Sequence, residues 1–167
     1  MKQCSNETMK KGFILLEVLI AVSIIVSITG GAFVLIWQTA GFTDAASSRL
    51  TASYLCQEGL ELARHIRDSN WLKSRTVPDF AWDNGLPAGE WEMDYNDSAL
   101  MPYSSSHYLK VGQFYNYDQG VPSPFRRKIT ISKTSNVISV SVEVLWTERG
   151  RAHEFTVAEE LYNGLQL

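Results

Sequence analysis

The polar and apolar positions fall into three regimes. From Phe13 to Trp37 the chain reads FILLEVLIAVSIIVSITGGAFVLIW, 25 residues with one ionisable side chain, Glu17. At 1.5 Å per residue this is a helix of roughly 38 Å, long enough to cross a bilayer core with some tilt. Farther on, Ala52, Leu55, Cys56, Gly59, Leu62, Ala63 and Ile66 recur at steps of three and one. Arg49, Gln57, Glu58, Glu61, Arg64 and Asp68 lie off that stripe. One amphipathic face predicts a helix that continues to about Ser69, with Gly41 and Gly59 weakening it locally. On this reading Glu58 faces water, and replacing it should change stability little.

Residues 69–107 lose periodicity. Pro78, Gly85, Pro87, Gly89 and Pro102 punctuate them, with Asp79, Asp83, Asn84, Asp94, Asn96 and Asp97 between, so loop is expected around one short strand at Glu90–Tyr95. From Tyr108 the period becomes two. Strands are predicted at Tyr108–Tyr117, Phe125–Lys133, Val137–Trp146 and Ala152–Leu161. In the third, Ile138, Val140, Val142, Val144 and Trp146 share one face. Short turns, including Arg149-Gly150, suggest an antiparallel meander whose apolar side packs on the helix stripe. The fold class expected is α+β: a long N-terminal helix, its second half packed on a C-terminal antiparallel sheet.

Charge adds an orientation. Net charge is −3, so no broad nucleic-acid surface is implied, but Lys2, Lys10 and Lys11 precede the apolar run and the next basic residue is Arg49. The positive-inside rule then puts the N-terminus in the cytoplasm and residues 38–167 outside. A secretory signal peptide should have a shorter apolar region ending at a small-residue cleavage site. A plain bitopic anchor fits the length and leaves Glu17 unexplained, because a carboxylate within a spanning helix is costly.

The segment KKGFILLE (Lys10–Glu17) resembles the prepilin signal of type IV pilins and type II secretion pseudopilins: a short basic leader, Gly, Phe, and Glu as fifth residue after the cut. The resemblance is strongest over residues 8–40. It implies a leader of residues 1–12, cleavage between Gly12 and Phe13, N-methylation of Phe13, and an assembly role for Glu17. It also implies a membrane and fibre-core helix at 13–37, a continuation at 38–69 and a pilin-like β domain at 70–167. The expected location is a single-pass bacterial membrane protein incorporated into a pilus or pseudopilus. Expected partners are other pilin or pseudopilin subunits, a prepilin peptidase, an inner-membrane assembly platform with its ATPase, and membrane lipid. The C-terminal strand, V-x-W, Gly turn and final strand are similar to minor pilins and pseudopilins of the I and V types. Major pilins often carry a proline late in this helix. Here Gly30 and Gly31 stand in that region, either as a melting point or as small residues that let helices pack closely.

Little points to chemistry. GxSxG, P-loop, HExxH and CxxC patterns are absent, and His65, His107 and His153 are far apart. No cofactor or metal is expected and the chain reads as a non-enzyme. The acidic loop at 79–97 matches no EF-hand spacing, so turn formation is favoured over calcium. Cys56 reads as a small buried hydrophobe. The aromatic residues between Trp71 and Tyr117 read as core and loop packing before a binding surface. Arg126, Arg127 and Lys128 read as a solvated strand edge before a DNA contact. Two other functional classes stay open: a ligand- or DNA-binding minor pilin of a competence or adhesion pilus, and a membrane-anchored extracytoplasmic enzyme.

Overall fold

The computed structural model describes the backbone of residues 3–134 and 136–163, and their side chains apart from 3–13 and residue 40. Helix α1 spans Gln3–Ser74. Among the described residues eight strands follow: β1 (Gly89–Glu92), β2 (Met101–Pro102), β3 (Lys110–Val111), β4 (Tyr115–Asn116), β5 (Val121–Pro122), β6 (Arg126–Thr134), β7 (Val137–Glu148) and β8 (Arg151–Tyr162). The layout is α+β. The chain divides into two compact units, Met1–Ala46 and Ser47–Leu167.

The first unit is helix alone. Ile14, Leu16, Leu19, Ile25, Phe33 and Trp37 are each at least half exposed, as are the other large apolar residues between them. Hydroxyls on this helix turn back onto it. Ser27 donates to Ser23 O, Thr29 to Ile25 O and Thr39 to Leu35 O, each at 2.8 Å. Such back-bonding satisfies the hydroxyl within its own helix and leaves an apolar exterior. The helix is long and apolar enough to cross a membrane.

The second unit is built on five antiparallel strands in the order β2-β1-β6-β7-β8, with a separate three-stranded sheet β4-β3-β5. Alternation sends Ile138, Val140, Val142, Val144 and Trp146 of β7 and Ile129 and Ile131 of β6 to one face, all buried. The end of α1 lies on that face through Ala52, Leu55, Cys56, Leu60 and Ala63. The buried stripe therefore runs through Leu60, while Leu62 and Ile66 flank it. Gly59 lies where helix and sheet come closest: a Cβ there would stand 2.8 Å from Val142 Cγ1 and 3.2 Å from Arg127 Cδ. Strands β7 and β8 are joined by Arg149-Gly150, both with positive φ (50° and 76°), the two-residue turn whose twist matches a hairpin.

Three local expectations need correction. The helix ends at Ser74, beyond Ser69, because the Asn70 amide donates to Trp82 O (3.1 Å) and Asn84 O (2.5 Å), so this last stretch anchors the following loop. The strand expected at Glu90–Tyr95 stops at Glu92, because Asp94 bends the chain: its carboxylate accepts the Asn96 N–H, and its own carbonyl accepts the Asp97 N–H. Tyr108–Tyr117 is a small hairpin, β3 and β4, since the chain reverses at Gly112–Phe114. Asn116 then accepts the N–H groups of Asp118 and Gln119 and turns it again.

Candidate functional site

The processing residues expected at Gly12 and Phe13 fall within the bounds of α1, and the side chains of residues 1–13 lie outside the described residues. Glu17 is exposed on the apolar helix and has no hydrogen-bond or ion-pair partner among the described residues. It is the one carboxylate on the apolar stretch from Ile14 to Trp37. The helix is continuous through Gly30 and Gly31, and nothing lies within 4 Å of where their Cβ atoms would be. Both glycines present bare backbone on the outside of the helix.

The 47–167 unit holds a buried polar cluster that sequence reading missed. Arg127 was expected on a solvated edge, yet β6 is an interior strand and Arg127 sits on its inward face with 0 % exposure. Its guanidinium lies 3.2 Å from the Glu58 carboxylate and 3.1 Å from Leu55 O, and it also donates to Met93 O. One cation thus ties helix α1 and the loop after β1 to the sheet. The missing glycine side chain at 59 makes room for the Arg127 stem. Alternation could have flagged this: Arg127, Ile129 and Ile131 share parity, so the arginine had to face inward with the two isoleucines.

Around it the loops are pinned by carboxylates. Asp94, 1 % exposed, accepts the Tyr117 N–H at 2.8 Å. Glu92, 3 % exposed, meets His107 Nδ1 at 2.5 Å and accepts the Ser104 N–H at 3.2 Å. His107 stacks on Tyr117 with centroids 4.5 Å apart. The Tyr117 hydroxyl donates to Arg127 O at 3.4 Å, and burial pushes its pKa far above the usual phenol value. These contacts are structural cross-braces between loop and core.

The remaining candidates sort plainly. Burial pushes the Cys56 thiol up to about 11, and its Sγ lies 3.3 Å from Phe155 O, so it is an inert core residue at neutral pH. In the acidic loop Asp83 pairs with Lys133 at 2.6 Å, while Asp94 and Asp97 accept backbone N–H groups. No group of three or more His, Cys, Asp or Glu side chains suited to a metal occurs among the described residues. Lys128 lies between Glu143 (2.7 Å) and Glu90 (3.6 Å), and with Arg127 buried the basic run forms no three-cation surface.

An open, largely apolar groove of about 590 Å³ faces solvent, and its walls include Tyr54, Tyr95, Phe114 and Tyr115, with Glu58 beside them. Tyr95 and Phe114 are 46 % and 59 % exposed, so part of the aromatic cluster is surface. No family model, curated protein or solved structure matches the chain.

Proposed function

We propose that this chain is a minor pilin or pseudopilin, a structural subunit of a type IV pilus-like or type II secretion fibre. A prepilin peptidase cuts it after Gly12, and it assembles through its N-terminal helix. The observation that carries the reading is the segment KKGFILLE within a continuous helix whose large apolar side chains from Ile14 to Trp37 are all exposed. Such a surface is stable only in lipid or against other helices.

Glu17 supplies the specificity. Cleavage before Phe13 creates a cationic amine at the start of the helix. In a fibre core both that amine and a carboxylate are heavily penalised if unpaired. Pairing Glu17 with the Phe13 amine of an adjoining subunit relieves both penalties and fixes the axial register, since one residue of slip is about 1.5 Å. Until assembly the membrane holds the subunit, N-terminus in the cytoplasm and head outside. Its partners are other subunits, the peptidase and the assembly platform. No enzymatic step is assigned to the head.

N-terminal mass analysis of the protein from its native cells tests the reading. We expect a chain that begins at N-methylated Phe13, and full-length chain from the Gly12→Ala variant. A mature, fibre-associated chain that still begins at Met1 would exclude it.

A further inference from the structure

Some aromatic rings of the 47–167 unit already hold a cation. Trp71, Phe80, Tyr103 and Tyr108 each carry a cation of the protein itself: Arg75 at 4.1 Å, Lys73 at 5.8 Å, Lys128 at 5.9 Å and Arg126 at 5.1 Å from the ring centroid. The groove rings Tyr54, Tyr95, Phe114 and Tyr115 carry none among the described residues. No lysine, arginine or histidine lines the groove. Tyr95 and Phe114 stand edge to face, 5.4 Å between centroids and 69° between planes, and so form a corner of two nearly perpendicular walls.

Glu58 gives the groove its charge. Its partner Arg127 is wholly buried behind it, whereas the Glu58 side chain is 32 % exposed. The end of this ion pair that an occupant meets is therefore the carboxylate. Ring faces carry negative quadrupole potential, so aromatic walls and an accessible carboxylate together favour a cation with an apolar shell over a strongly hydrated one.

We propose that this groove binds the trimethylammonium head of a small organic cation of the choline type. The methyl groups contact the ring faces and the positive charge faces Glu58. A neutral group of the same shape would gain the apolar contact and lose both electrostatic contributions. The site is independent of the assembly reading, since it uses only residues of the 47–167 unit.

The test is titration of the full chain in a non-ionic maltoside micelle with choline chloride at constant ionic strength, read by shifts of tyrosine and phenylalanine ring resonances. The comparison ligand is 3,3-dimethylbutanol, the uncharged isostere. We expect saturable binding of choline and about tenfold weaker binding of the isostere. Phe114→Leu and Tyr95→Leu keep apolar bulk at exposed positions and should each weaken choline binding by about tenfold. Tyr108→Leu, at a ring that already holds Arg126, should leave it unchanged. Absence of saturable choline binding, equal affinity for the isostere, or unchanged affinity in Phe114→Leu would each overturn the proposal.

Discussion

Replacing Glu58 by alanine removes the carboxylate that faces the buried guanidinium of Arg127, so the sequence-based expectation that Glu58 faces water and matters little to stability needs correction. The cation keeps its bonds to the carbonyls of Leu55 and Met93, while its Nε has no partner. Breaking a fully buried ion pair from one side costs about 3–5 kcal/mol. Glu58 is partly solvated and water can follow the vacated side chain, so we expect about 2–3 kcal/mol for Glu58→Ala. Urea unfolding of residues 38–167, followed by near-ultraviolet circular dichroism, reads this as a lower midpoint at unchanged slope. The double-mutant cycle isolates the cause. Arg127→Met removes the cation at similar volume, and in that background Glu58→Ala should cost less than about 0.5 kcal/mol. A cost below about 0.5 kcal/mol in the wild-type background, or strict additivity with Arg127→Met, would refute the view that the pair carries this energy.

Gly59→Ala should destabilise the same fragment by about 1–3 kcal/mol despite alanine's better helix propensity, because its Cβ meets Val142; thermal unfolding checks it, and a raised midpoint would contradict it. The hydrogen bond from Lys133 holds the Asp83 carboxyl below its ordinary value, so the unfolded chain binds the proton more readily. The pair's contribution is therefore present above the ordinary carboxyl range and is lost as pH falls through the lowered folded value. Wild type should exceed Asp83→Asn by about 0.5 kcal/mol at neutral pH, and the gap should close on acidification. A gap that persists unchanged at acidic pH would contradict this assignment.

The long strands were legible because apolar residues recur at every second position, most regularly in β7; β6, β7 and β8 fall within two residues of the expected bounds. The helix was legible as an apolar run followed by a stripe. What escaped is held by side chains reaching across the sequence. Asn70 bonds to Trp82 O, Asp94 reaches Tyr117, Glu92 reaches His107, and none of these pairings leaves a periodic trace. Arg127 escaped for another reason. A charge triplet invites a surface reading, whereas strand parity turns its middle member inward. The groove rings were visible only as composition, since the corner of Tyr95 and Phe114 depends on a turn at Asp94 and a hairpin at Gly112. The proposed assembly site rests on sequence alone: KKGF, Glu17 and the apolar run are adjacent in the chain.

The assembly reading rests most directly on Glu17. Fractionation of sheared fibres from native cells carrying wild-type or Glu17→Leu subunits measures incorporation against the membrane pool. We expect the variant to insert into the membrane and lose its leader normally, yet to be depleted from the fibre fraction. A carboxylate that merely reaches toward the membrane interface would be dispensable. Equal amounts of variant and wild-type subunit in the fibre would contradict the assembly role.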